Sequence, residues 1–291
     1  MDQVIMPLSC AEADKIKEDI RSFDETVVSP VPGFTAGSPV FKATDPDGGL
    51  IGGLTTALDE WGSIELVNLW VDERARGKGV GSALIRAAED AARDQGRYLS
   101  IVSTWSYQAR PLYEKNGYTL CSTVTDWPKG YDSYYLTKRL DAPCEAPVRS
   151  KPRSAGYEIA PGDKEVAGTV HLKLHEYNFA TVPRPRGHQT FANKLDKTDG
   201  ATLAGCVFDM DGFGICVLEA IWVDEASRRR GAGSYLLAAT EREAKESGGV
   251  FAVAYVYDWS AGFFLKNGYE VCGAIEDHPK GHRKYVLKKN L

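Results

Sequence analysis

Residues 69–96, LWVDERARGKGVGSALIRAAEDAARDQG, return at 221–248 as IWVDEASRRRGAGSYLLAATEREAKESG, with 13 of 28 aligned positions identical. The offset is 221 − 69 = 152 residues. Further pairs follow: YEKNGY (113–118) with FLKNGY (264–269), and DWPKGYDSYYLTKRL (126–140) with DHPKGHRKYVLKKNL (277–291). A period this long exceeds any solenoid repeat and indicates a duplicated domain. The stretch between the copies, DAPCEAPVRSKPRSAG, holds three prolines and no apolar periodicity, which reads as a linker. The expected organisation is therefore a first domain over 1–140, a linker over 141–156 and a second domain over 157–291.

Each copy shows the same coarse order. A helical segment (11–23; 163–177) precedes two or three strand-like runs, LIGGLTTAL with SIELVNLWV and TLAGCVFDM with ICVLEAIWV forming hairpin candidates. A glycine loop and an amphipathic helix follow, then a strand, a short helix and two closing strands. Strands mostly precede the main helix. Each copy is therefore expected to be an α/β (α+β) unit with a mixed, mostly antiparallel central sheet flanked by helices.

The glycine loop is the candidate site. A helix N-terminus offers unpaired N–H groups and the positive end of a dipole. Glycines let the backbone approach an anion closely, and Arg76 and Lys78, or Arg228, Arg229 and Arg230, add positive charge. A Walker loop requires G-x-x-x-x-G-K-[ST], which is not present here. A dinucleotide fingerprint requires G-x-G-x-x-G in a βαβ unit, and the spacing here is G-x-G-x-G. What remains is R-x-x-G-x-G between a strand and a helix, satisfied by Arg76, Gly79 and Gly81 and again by Arg228, Gly231 and Gly233.

That pattern resembles the coenzyme-A pyrophosphate loop of the GNAT superfamily of N-acetyltransferases. The run Ala109, Tyr113, Glu114, Lys115, Gly117, Tyr118 is similar to the family's second signature. The resemblance covers nearly the whole chain as two tandem copies. It implies an acyltransferase that moves the acetyl group of acetyl-CoA to a primary amine. Arg76, Gly77, Lys78, Gly79, Val80, Gly81 and Ser82 are then the expected pyrophosphate loop of the first copy. Arg228, Arg229, Arg230, Gly231, Ala232, Gly233 and Ser234 are that of the second. By the same resemblance the strand segment Leu69, Trp70, Val71, and Ile221 with Val223, holds the pantetheine and supplies an oxyanion N–H. Ser106 stands where the family often has a pantetheine-binding Asn, and Tyr257 in the second copy.

The family's general base falls on Glu65 and its thiolate-protonating Tyr on Tyr113. The second copy has Val217 and Phe264 at those places, so catalysis is expected in the first copy and the second is expected to be degenerate. Glu219 is an alternative base in the second copy, which leaves an active second half as the rival reading. A non-catalytic acyl-CoA-binding or structural tandem module is the third.

Composition narrows partners. Formal net charge is −5, with 35 basic and 40 acidic residues, which argues against nucleic acid. The first copy carries 15 Lys/Arg and 20 Asp/Glu, weakly favouring cationic acceptors such as a small-molecule amine or a peptide amine. No apolar run approaches a membrane span, and no secretory signal is recognised, so a cytoplasmic location is expected. Six scattered cysteines form no C-x-x-C pair, and His171 with His175 lacks the Glu of H-E-x-x-H, so no metal is expected. Surface placement is the reading for those histidines, and RPRGH (184–188) is too short for a nucleic-acid patch. Trp105, Trp127, Tyr131, Tyr134 and Tyr135 read first as core and second as an aromatic amine pocket. The loop 29–39 is assigned to the acceptor side by the resemblance alone. A monomer with an internal pseudo-dimer, or a homodimer, fits the duplication.

Overall fold

The computed structural model describes residues 5–32, 34, 37–142, 156–182 and 187–291. Most of the linker, with Cys144, lies outside the described residues, as do parts of the 29–39 loop and of RPRGH.

In chain order the first copy contains β1 (Ile5–Pro7), α1 (Cys10–Val27), β2 (Val40–Thr44), β3 (Leu50–Leu58), β4 (Ser63–Val71), α2 (Val80–Asp94), β5 (Leu99–Trp105), α3 (Arg110–Lys115), β6 (Thr119–Val124) and β7 (Ser133–Arg139). The second repeats it with β8 (Glu158–Pro161), α4 (Lys164–Thr181), β9 (Gln189–Asp196), β10 (Thr202–Met210), β11 (Ile215–Val223), α5 (Ala232–Glu246), β12 (Phe251–Tyr257), α6 (Asp258–Lys266), β13 (Glu270–Glu276) and β14 (Arg283–Asn290). Local chemistry accounts for the ends. Ser9 and Glu12 close a capping box at the start of α1, and Asp163 caps α4 through the Val166 amide. Helix α2 buries Leu84, Ile85, Ala88 and Ala92 on one face and stops before Gly96, which takes a left-handed φ of 70°.

All strands join one 14-stranded sheet in the order β1-β9-β10-β11-β12-β14-β13-β6-β7-β5-β4-β3-β2-β8. It is antiparallel except for β4 with β5 and β11 with β12. The half-sheets meet at β13 and β6, where Gly273 pairs with Ser122. A Cβ on Gly273 would lie 2.3 Å from the Cys121 carbonyl oxygen, so this crossing demands glycine.

The strand order carries a feature absent from the repeat pattern. The first strand and helix of each copy have changed places. β1 pairs with β9, and β8 pairs with β2. Helix α1 lies on β10 and β11, whereas α4 lies on β2, β3 and β4. Each exchanged helix seats one fully or nearly buried side chain on a glycine. A Cβ built on Gly53 would fall 2.4 Å from Val170 Cγ2, and one on Gly205 2.1 Å from Ile16 Cδ1. Reciprocal contacts tie the turns before β7 and β14 to the opposite half. Trp127 donates its indole N–H to Asp211 at 2.8 Å, and His278 Nε2 lies 3.4 Å from Asp59. Two large apolar cores result, one beneath α2 around Leu54, Leu66, Leu84 and Val102, the other beneath α5 around Phe208, Leu236, Leu237 and Ala254. Among the described residues no helix is long and apolar enough to cross a membrane.

Candidate active site

Strands β4 and β5 are paired only where Ser63–Leu66 faces Leu99–Val102. Both continue beyond that point, to Val71 and Trp105, with no ladder between them. Val67–Val71 keeps β3 on one edge and leaves the other open, so backbone N–H and C=O groups on that edge lack a strand partner. The β3–β4 register shifts between Thr55 and Thr56, a bulge of the kind that bends a strand away from its neighbour. The splay opens a cleft of about 760 Å3. Its walls include Leu69, Trp70, Val71, Arg76, Gly77, Gly79, Val80, Gly81, Ser82 and Tyr113. These residues, expected from sequence to belong to one site, are thus brought together. Lys78, Glu65 and Ser106 are not on the wall.

At one part of the cleft stands the N-terminus of α2. Gly79 caps it with φ 86° and no side-chain bond, and Gly77 has φ 75°. The first-turn amides of α2 therefore have no side-chain acceptor. A Cβ on Gly77 would meet no atom within 4 Å, and one on Gly81 would press on Leu112 at 3.1 Å. Arg76 returns its Nε to the Val71 carbonyl at 3.1 Å, fastening the loop to the end of β4. Ser82 Oγ accepts from Asn116 at 3.0 Å. Unpaired amides, glycine backbone and a fixed guanidinium are a donor set that suits a diphosphate, so the residues present fit coenzyme A.

Tyr113 projects from α3 and is 6% exposed, its ring edge-on to Tyr118 at 5.9 Å. Burial pushes its pKa up, so the phenol keeps its proton. Glu65 is exposed on β4, and partial desolvation there raises its pKa. Lys284 of β14 opposes the rise and Asp59 adds to it. Ser106 is exposed, and its backbone and hydroxyl are bonded to Asp132.

Sequence reasoning missed part of the wall. Val67, Ser103, Thr104, Gln108 and Leu112 line the cleft, and so do Lys173, Leu174, Glu176, Tyr177 and Ala180 of α4. A second cavity of about 270 Å3 shares Val67, Ser103, Thr104, Gln108 and Leu174 with the first. It adds Asn68, Trp105, Trp127, Ser133, Tyr135, His171, His175 and Asn178. Three of the aromatics flagged by sequence therefore face a cavity. Tyr131 instead packs edge-on to Tyr107 at 5.0 Å, and Tyr134 carries the Arg110 guanidinium at 4.6 Å. His171, exposed as the sequence reading has it, and the half-buried His175 both border this cavity, where the exchange of α4 puts them.

The second half repeats the loop. Gly231 caps α5 with φ 88°, and Arg228 Nε donates to the Val223 carbonyl at 3.0 Å. Arg229 takes the left-handed place of Gly77, with φ 63°. Beside it, α1 makes charged and aromatic contacts: Lys17 lies 3.9 Å from Glu219, Asp24 accepts from Trp259 at 2.9 Å, and Arg228 lies over Phe23 at 5.3 Å. Burial raises the Glu219 pKa. No group of three or more potential metal ligands occurs among the described residues.

Two family models match the chain: an acetyltransferase (GNAT) domain over residues 37–120 and the acetyltransferase (GNAT) family over 123–269. A blasticidin-S acetyltransferase of Streptomyces morookaense is 43% identical over 94 residues, which is 32% of this chain and 68% of that protein. Among solved structures, an acetyltransferase from Bacillus cereus ATCC 14579 is 26% identical with a TM-score of 0.43, covering 47% of this chain and 97% of that one. A GCN5-related N-acetyltransferase from Kribbella flavida is 18% identical with a TM-score of 0.32, covering 40% and 76%. With one family match spanning half its length and a second beside it, the chain belongs to the GNAT acetyltransferase family and carries two such domains in tandem.

Proposed function

We propose that the first half transfers the acetyl group of acetyl-CoA to the primary amine of a small molecule, and that blasticidin S or a related amine antibiotic is the acceptor. The observation that carries this reading is the splayed β4–β5 cleft, which has an uncapped helix N-terminus on its wall, a buried Tyr113 within it and the smaller cavity adjoining it. The relative's activity on blasticidin S supports the acceptor class.

Acetyl-CoA supplies the acetyl thioester. The α2 amides, Gly77, Gly79 and Gly81 receive the pyrophosphate, and Arg76 adds charge. The open edge of Leu69–Val71 holds the pantetheine by strand-like hydrogen bonds and offers an N–H to the carbonyl oxygen as charge builds there. Tyr113, held protonated by burial, delivers its proton to the departing sulfur and regains one from the amine nitrogen through water. Glu65, expected from sequence as the base, lies two residues before Val67 on β4 and off both cavity walls. The second half, with Val217 and Phe264 in place of Glu65 and Tyr113, has no acetyl-transfer centre of its own and completes the sheet. The chain is then an internal pseudo-dimer.

The test is acceptor-dependent release of CoA thiol with blasticidin S, beside calorimetric titration of acetyl-CoA into the wild type, Gly79→Glu and Gly231→Glu. Each substitution puts a carboxylate where a phosphate is expected. Thiol release and binding lost only in Gly79→Glu support the first half as the site. Activity lost in Gly231→Glu instead moves catalysis to the second half, and no binding in the wild type removes the reading.

A further inference from the structure

The amine that enters the smaller cavity carries a proton that must leave before attack. Among the described residues the wall of that cavity has no carboxylate, lysine or arginine. Its serines, threonine, amides and tryptophans do not take up a proton near neutral pH, and Tyr135, already protonated, cannot. The imidazoles of His171 and His175 can. They stand at i and i+4 on α4, on one face of the helix. Their rings stack at 5.6 Å and 27°, and His175 packs edge-on to Phe179 at 4.2 Å.

The helix that presents them is fixed against the first half at several points. Val170 seats on Gly53, Tyr177 donates to the Tyr107 carbonyl at 3.0 Å, and Gln108 donates to Asn178 at 2.8 Å. Charged groups beside the pair are Lys173 and Glu176 on the helix itself, and Asp211, which accepts from Trp127 of the same cavity wall.

We propose that His175, with His171 stacked beside it, accepts the proton of the amine in the first half's site, so that the catalytic half takes its base from the second copy's helix. The inference rests on the acetyl-transfer reading. In the step, one N–H bond of the substrate ammonium breaks and its electron pair stays on the amine nitrogen. One N–H bond forms on imidazole, and the imidazolium then releases that proton to water.

The experiment uses the full chain and blasticidin S as probe amine. Imidazole C2–H resonances are followed by NMR without acetyl-CoA, and pH profiles of kcat/KM are recorded for wild type, His175→Gln, His171→Gln and Glu65→Gln. The expected result is that blasticidin S shifts the His171 and His175 resonances but not that of His282. His175→Gln should lose about 100-fold in kcat/KM together with the rising acid limb, in line with removal of a general base. Glu65→Gln should keep that limb. Unmoved His171 and His175 resonances when calorimetry registers blasticidin S, or both histidine variants within threefold of wild type with an unchanged limb, overturn the inference and leave acetyl transfer standing. A wild type that binds acetyl-CoA but acetylates no amine overturns the transfer reading, and the inference with it.

Discussion

Each half buries one glutamate against a lysine from its last strand, and the two pairs differ in a way that fixes unequal stabilities. In the second half Glu241, with its side chain 7% exposed, has Lys289 at 2.5 Å as its cationic partner. In the first half Glu89, 2% exposed, has Lys138 at 2.6 Å and also Arg93 at 3.3 Å. Stripping a buried carboxylate of its single counter-charge costs about 3–5 kcal/mol, chiefly the desolvation left uncompensated. Lys289→Met should therefore destabilise by ~3 kcal/mol. Lys138→Met should cost about half as much, since Arg93 still faces Glu89 and the pair interaction scales with the charge that remains. The double variant Glu241→Leu/Lys289→Met should recover to within about 1 kcal/mol of wild type, because neither charge is left buried alone. Urea unfolding at neutral pH followed by tryptophan fluorescence measures all three. A Lys289→Met loss below about 1 kcal/mol, or a Lys138→Met loss as large as that of Lys289→Met, would refute the reasoning.

Tyr113→Phe should lower kcat by about 10²-fold with little change in KM for acetyl-CoA, since it removes a proton and leaves the packing that Phe264 already shows to be tolerated; steady-state thiol release checks this. Arg229→Gly should stabilise by about 1 kcal/mol, because a left-handed φ of 63° strains any residue with a Cβ; thermal melting reads the change. Burial lowers the pKa of His278, with Asp59 opposing, so below about pH 6.5 the unfolded chain binds more protons than the folded one. Stability should therefore fall as pH drops through that range. His278→Trp, the residue its counterpart Trp127 supplies, should flatten the slope in urea titrations between pH 6.5 and 5.

The duplication made much of this legible. The glycine loops, the helices behind them and Tyr113 carry spacing that depends only on neighbours in sequence, and the structure sets them where periodicity and turn chemistry put them. Glu65 shows the limit. Its place on β4 follows from alternation, but the bulge near Thr55 and Thr56 changes which residues face the opening, and Val67 rather than Glu65 reaches the wall. The histidines show a deeper limit. A helix that buries only Val170 has nearly the same pattern whichever half-sheet it covers. Gly53 and Gly205 mark the two docking places at matching positions, 205 − 53 = 152, but because they match, they cannot say which helix lands on which.

That crossing has a consequence for the growing polypeptide. The first half-sheet waits for β8 and α4, the last of which is Thr181, and α1 waits for β11, which ends at Val223. Domains of a nascent chain ordinarily fold one after another as they leave the ribosome. Here the first half-sheet cannot close until β8 and α4 of the second copy have emerged, and α1, made at the outset, stays without its sheet until β10 and β11 follow, so neither copy folds from its own segment alone.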